Sequence, residues 1–315
     1  MAKVVFGIDV GGTTIKCGLF ETKGSLLEKW EIVTRSENGG ENILPDIAAT
    51  IDAKLKLRGI DKKDVAGIGI GIPGPVRGGK VPVAVNLHWG ETDVVKQLGK
   101  LTGLKVAAGN DANVAALGEQ WKGGGEGHQN MIMVTLGTGV GGGIIVGGQI
   151  IEGAHGAGGE LGHIHVDDNI KEPCNCGNHG CLEQVASATG IARLAREELA
   201  ANPEEETSIR VDEVNAKVVF DGYKVGDAMA ERVVNRFARY LGVAIGGIAC
   251  VTDPEIIVIG GGVSKAGDPL IDVVGRYYRN MAFSACQVTP LVLAKLGNDA
   301  GIYGAAKLAL DMQPA

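Results

Sequence analysis

Between Glu160 and Glu183 the chain reads Glu160-Leu-Gly-His163, a short polar run, then Cys174-Asn-Cys176-Gly-Asn-His-Gly-Cys181-Leu-Glu183. His163, Cys174, Cys176 and Cys181 stand at metal-ligand spacing, and no other stretch constrains the fold so sharply, because four side chains must meet at one point. Three thiolates and an imidazole suit a closed tetrahedral zinc site, both being good ligands for a borderline-soft ion. Gly177 and Gly180 permit the tight turns that bring three sulfurs together. Glu160 lies three residues before the histidine and Glu183 two after the last cysteine, so a metal knot would fix the positions of two carboxylates. The competing reading is a loop of disulfides or free thiols. Six cysteines in 315 residues are too few for a disulfide scaffold, and no basic-then-apolar segment opens the chain, which predicts a reducing, cytoplasmic setting that favours thiolate and metal. His179, inside the knot, reads as a solvated loop residue.

A chain of this length predicts two domains. The net charge of −7 argues against nucleic acid or an anionic membrane as partner. Residues 131–151 carry no charge, but Gly and Thr interrupt them throughout, so they read as buried strands and a turn rather than a membrane helix. The 51 glycines show no collagen-like period and predict many tight turns.

The chain opens with a strand from Lys3 to Val10, a turn, a second strand at Ile15 to Glu21 and a third near Leu26 to Val33. Asp9 ends the first strand at the mouth of Gly11-Gly12-Thr13-Thr14. Glycines there let backbone N–H groups approach a phosphate, the hydroxyls add donors, and Lys16 adds charge. Residues 131–151 repeat the pattern, with Gly137-Thr138-Gly139 as the turn; two such hairpins predict a duplicated unit with one phosphate-binding turn in each half. Residues 41–58 read as an amphipathic helix and Val65 to Ile72 as a buried strand, broken by Pro73-Gly74-Pro75. A helix near Thr92 to Leu101 and a strand at Leu104 to Ala108 lead to Gly109-Asn110-Asp111-Ala112-Asn113, which opens a helix from Ala112 to Trp121. Asp111 at such a junction is commonly an N-cap. Crowded beside Asn110 and Asn113 at the end of a buried strand, it also stands where α/β folds place ligands. Helices are expected at Ser187 to Ala201 and, as one long stretch, Tyr223 to Val251. The strand Glu255 to Ile259 runs into Gly260-Gly261-Gly262, a backbone surface for a nucleotide or plain strand–helix packing. A helix near Pro269 to Met281, a strand at Leu291 to Lys295 and a terminal helix to Asp311 complete the chain.

Taken together, Asp9-Val-Gly11-Gly12-Thr13, Gly71-Ile-Pro73-Gly74, Gly109-Asn110-Asp111-Ala-Asn113, Leu136-Gly137-Thr138-Gly139-Val-Gly141, Gly158-Gly159-Glu160-Leu-Gly162-His163 and the Cys174–Glu183 motif resemble the ROK family (repressors, open reading frames and sugar kinases) across nearly the whole chain. The resemblance implies an actin-like ATPase (ribonuclease H-like) fold of two α/β domains with a duplicated core: a small one of residues 1–111 plus 299–315, and a large one of 112–298 carrying a zinc-bound loop. It implies phosphorylation of the glucose 6-hydroxyl by ATP with Mg²⁺, Asp111 as general base, sugar hydroxyls held by Asn110, Glu160, His163 and Glu183, structural Zn²⁺ on His163, Cys174, Cys176 and Cys181, and a homo-oligomer, dimer or tetramer. Thr14 departs from the lysine that many relatives carry there. Kinases of fructose, allose or N-acetylmannosamine are the nearest alternatives. A sugar-sensing repressor would need a helix-turn-helix ahead of the Asp9 strand, for which the sequence leaves no room, and a noncatalytic scaffold would not need Asp111.

Overall fold

The computed structural model describes residues 3–312. The fold comprises two compact units. The first holds the described residues up to Gly127, Ile150–Gly159 and those from Leu296 onward; the second holds His128–Gln149 and Glu160–Lys295. The Asp111–Lys122 helix belongs to the first unit, beyond the boundary expected at residue 111.

The first unit is built on β1 (Val4–Val10), β2 (Thr14–Glu21), β3 (Leu26–Val33), β4 (Val65–Ile72) and β5 (Val106–Asn110), in the order β3-β2-β1-β4-β5. β1 to β3 form an antiparallel meander, while β4 and β5 run parallel to β1. Continuous burial of β4 on both faces follows from its apolar–Gly alternation. Helices α1 (Ile43–Arg58) and α2 (Val94–Thr102) cover the unit with α3 (Asp111–Lys122) and the C-terminal helix Ala300–Asp311. Phe6, Ile8, Ile15 and Ile68 are fully excluded from solvent, each such side chain contributing about 1.5–3 kcal/mol.

The second unit repeats the plan. β6 (Met131–Leu136) and β7 (Val140–Val146) form the hairpin, and β8 (Ile256–Gly260) and β9 (Leu291–Leu293) run parallel to β6, in the order β7-β6-β8-β9. Its core lies under α4 (Ala188–Ala201), α5 (Ala216–Lys224), α6 (Ala228–Thr252) and α7 (Asp268–Met281). The single long helix expected over 223–251 is two. Gly226 turns the chain with φ 79°, and Asp227 starts a new helix by capping Ala230 N–H; a local cap and a positive φ override continuous helical composition. Among the described residues no helix is long and apolar enough to cross a membrane.

Candidate active site

β5 extends two residues further than its apolar pattern and ends on Asn110, so α3 begins at Asp111. Asn110 is the N-cap. Its Oδ1 accepts the N–H groups of Ala112 (3.0 Å) and Asn113 (3.1 Å), while Nδ2 donates to the Gly74 carbonyl (3.0 Å). The capping role foreseen for Asp111 therefore falls one residue earlier. Asp111, half-buried, occupies the first helical position, with Oδ1 accepting the Ala112 N–H (2.8 Å). Asn113 is buried and donates to the Gly158 carbonyl (3.1 Å), anchoring the run of glycines that leads to Glu160.

At the first turn Asp9 pairs in register with Lys16 on β2 and Gly71 on β4. Burial raises its carboxyl above the ordinary value, opposed by the charge of Lys16. Lys16 itself donates to the Asn298 carbonyl (3.2 Å). Gly12 and Thr13 are exposed, with Gly11 and Thr14 partly covered.

In the second unit the four proposed ligands converge: one donor atom from each of His163, Cys174, Cys176 and Cys181 lies within 4.8 Å of the others. Cys176 Sγ is 3.6 Å from Cys181 Sγ, and Cys174 Sγ is 3.7 Å from His163 Nδ1. Four ligands about 2.3 Å from a zinc ion span tetrahedron edges of about 3.8 Å, so the donor set fits that ion. Gly177 (φ 90°) and Gly180 (φ 68°) make the turns, and His179 stays exposed outside the set, its carbonyl bonded to His165 Nδ1. Glu160 and Glu183 both reach His163, with Glu160 Oε2 3.9 Å from Nε2 and Glu183 Oε1 3.8 Å from Nδ1. Glu183 Oε1 also accepts the Cys174 thiol (2.9 Å). Its other oxygen would lie 2.7 Å from a Cβ added at Gly139, so a side chain there would have to displace the carboxylate. One carboxylate thus touches both the metal ligands and the second glycine turn.

The three glycines at the end of β8 and just beyond it divide their work. Gly260 pairs with Thr135 beside the second turn. Gly261, at φ 84°, packs against Leu136 so closely that a Cβ would lie 2.5 Å from its backbone, whereas Gly262 opens on free space. Gly262, Ala188, Phe220, Lys224 and Lys265 line a cavity of about 340 Å³, a size suited to a small-molecule site. Its walls come from α4, α5 and the segment after β8; apart from Gly262 they carry no motif, so residue pattern alone did not single them out. A larger cavity of about 460 Å³, between α6 and residues 164–168, contains none of the expected site residues.

The structure thus brings Glu160, His163 and Glu183 together with the cysteines, and Gly137–Gly139 with Gly260–Gly262, in the second unit. Asp9, Gly11–Thr14, Asn110 and Asp111 belong to the first. Two glycine-turn hairpins, each leading a set of parallel strands, make this the actin-like ATPase fold, here with a Cys₃His loop beside the second turn. The ROK family profile matches residues 5–312, and the chain belongs to that family. It is 45% identical over 304 residues to a glucokinase of Halalkalibacterium halodurans, covering 95% of this chain and 92% of that protein. A glucokinase of Thermotoga maritima is 38% identical, with 96% of each chain covered. The crystal structure of a ROK family glucokinase from Streptomyces griseus in complex with glucose and AMPPNP superposes with a TM-score of 0.75 at 33% identity, covering 98% of this chain and 99% of that one.

Proposed function

We propose that this chain is an ATP-dependent glucose kinase that phosphorylates the 6-hydroxyl, with Asp111 as general base. The observation that carries the reading is the head of α3: Asn110 already accepts the Ala112 and Asn113 N–H groups, so the cap does not depend on Asp111, whose Oδ1 only shares the Ala112 N–H. Phosphoryl transfer asks mainly for positioning and charge stabilisation. The Gly11–Thr14 and Gly137–Gly139 turns offer N–H and hydroxyl donors for the phosphates of ATP, and the 340 Å³ cavity beside Gly262 takes the nucleoside. Asp9 and its neighbouring hydroxyls would hold Mg²⁺, which neutralises developing phosphate charge when bound. Asp111 takes the proton of the 6-hydroxyl as its oxygen bonds to the γ-phosphorus, and ADP departs with the former bridging oxygen. A carboxylate base so placed contributes on the order of 10²–10⁴-fold.

Asn110, Glu160, His163 and Glu183 supply donors and acceptors for a ring of hydroxyls. Asn110 gives much of its carboxamide to the cap and to Gly74, so its contribution to sugar is the smallest. His163 faces Cys174 with Nδ1 and Glu160 with Nε2, which lets one imidazole serve metal and sugar sides at once. His163 and the three cysteines would hold zinc, which would favour the thiolate form of Cys174; Glu183 Oε1, which accepts the Cys174 thiol here, would then be free for a hydroxyl. The chain would work as a homo-oligomer in the cytoplasm. The reading is tested by ADP release, coupled to an indicator reaction, with glucose, fructose, allose and N-acetylmannosamine at saturating ATP. Glucose should give the highest kcat/KM, and a clear preference for another hexose would overturn the substrate assignment.

A further inference from the structure

Both glycine turns are gripped from behind in the same manner, by unrelated elements. At the first, the hydroxyl of Thr34, just past β3 and buried, donates to the Gly11 carbonyl (2.7 Å), and the Thr34 N–H donates to the Thr13 carbonyl (2.9 Å). At the second, the opening residues of α4 do the same work. Ala188 N–H donates to the Gly137 carbonyl (2.8 Å), and the Thr189 hydroxyl donates to the Thr138 carbonyl (2.8 Å). In a trans peptide the C=O and the next N–H point opposite ways. Holding the carbonyls of Gly11, Gly137 and Thr138 therefore aims the N–H groups of Gly12, Thr138 and Gly139 away from the gripping element. Among the described residues none of those three N–H groups donates to a backbone carbonyl.

The second grip extends further back. Ser187 Oγ lies 2.6 Å from the Glu183 carbonyl and 2.9 Å from Thr189 Oγ1, so two hydroxyl protons face three contacts. The Glu183 carbonyl also accepts the Ser187 N–H (3.3 Å). Ser187 Oγ donates to the Glu183 carbonyl and Thr189 Oγ1 to the Thr138 carbonyl, each hydroxyl proton going to the carbonyl it faces.

We infer that Thr34 and Thr189 are positioning residues for nucleotide binding, each presetting the N–H groups of one turn for phosphate oxygens. The inference rests on the proposed reading of both turns as the phosphate site. A threonine that merely satisfied a buried carbonyl would affect folding, and would not act selectively on one substrate.

The test uses Thr34→Val and Thr189→Val, which keep shape and remove the hydroxyl, with Thr34→Ser and Thr189→Ser as rescue variants and Gly139→Ala as control for the turn. KM for ATP, KM for glucose, kcat and Tm are measured for each. Each valine variant should raise KM for ATP about 3- to 10-fold, leave KM for glucose near its starting value, and be restored by serine. A raised ATP KM in Gly139→Ala with unchanged ATP KM in both valine variants would overturn the positioning role while keeping the phosphate site. Unchanged ATP KM in Gly139→Ala as well would overturn the phosphate reading itself, and the inference with it. If the valine variants lose Tm and both KM values rise together, with serine restoring only Tm, the threonines are structural and the inference fails.

Discussion

At the scale of single residues, the head of α3 shows how one position of register changes what a side chain is for. Asn110 caps and ties down Gly74; Asp111, next along, is not required as the cap. Asp111→Asn should therefore keep Tm nearly unchanged while kcat falls by roughly 10²-fold or more; turnover close to that of the unaltered enzyme, measured by ADP release, would remove Asp111 from the mechanism. Asp9 presents the opposite balance. Its carboxyl is raised by burial, so the folded chain binds a proton more tightly than the unfolded one, and stability declines as pH climbs through the raised value. Above that window, ionised Asp9 costs the fold. Asp9→Asn should raise Tm at neutral pH while lowering turnover, and a fall in Tm at pH 7 would contradict the burial argument. Both residues were legible in the sequence because an acid beside a glycine turn or a strand end is a sparse signal. Which of Asn110 and Asp111 capped the helix was not, since it depends on β5 running two residues past its apolar run.

Among the elements, glycines and caps decide where helices start and which surfaces stay open. The run Gly260-Gly261-Gly262 read as a ligand surface and almost as well as packing; in the structure Gly261 is packed against Leu136, while Gly262 opens on free space. Gly261→Ala meets both a left-handed backbone and the Leu136 main chain, and should cost about 1–3 kcal/mol from backbone conformation alone. Gly262→Ala should leave Tm alone and weaken ATP binding, measured by titration calorimetry. The break between α5 and α6 escaped the sequence reading because composition stays helical across it, and only Asp227 and Gly226 mark the boundary. Partial burial opposes ionisation of Asp227, but N–H donors from Ala230 and Ser208 and hydroxyls from Ser208 and Thr207 outweigh it and bring the carboxyl down to about 2. This stabilisation is present above the unfolded carboxylate value and is lost as pH falls through the folded one. Asp227→Asn should accordingly cost on the order of 2 kcal/mol at pH 7, a deficit that closes as urea melts are repeated at pH values falling from 4 towards 2.

For the molecule as a whole, two separate cores and one metal-ligand loop predict unfolding that is not all-or-none. The loop belongs to the second unit and buries few apolar side chains, Leu161, Ile170, Cys174, Cys181 and Leu182, so metal binding should supply part of its folding energy. Elemental analysis should find about one zinc per chain. Chelation, or Cys176→Ser, should lower the calorimetric transition of the second unit while leaving that of the first in place, and should raise KM for glucose. Full metal content after replacement of all three cysteines would exclude the site. The duplicated hairpins and the Cys₃His spacing made this architecture readable before any coordinates, because both are periodic or clustered signals. The cavity beside Gly262 was not readable, since its walls are gathered from three distant segments.

The first unit borrows its last helix from the end of the chain: Ile302, Ala306 and Ala309 complete a cluster with Val5 and Phe20. On a ribosome, the N-terminal meander therefore emerges roughly 280 residues before the surface that finishes its core. The second unit has all its residues by Lys295, so the unit whose strands are made earlier can close only after every residue of the other has been made.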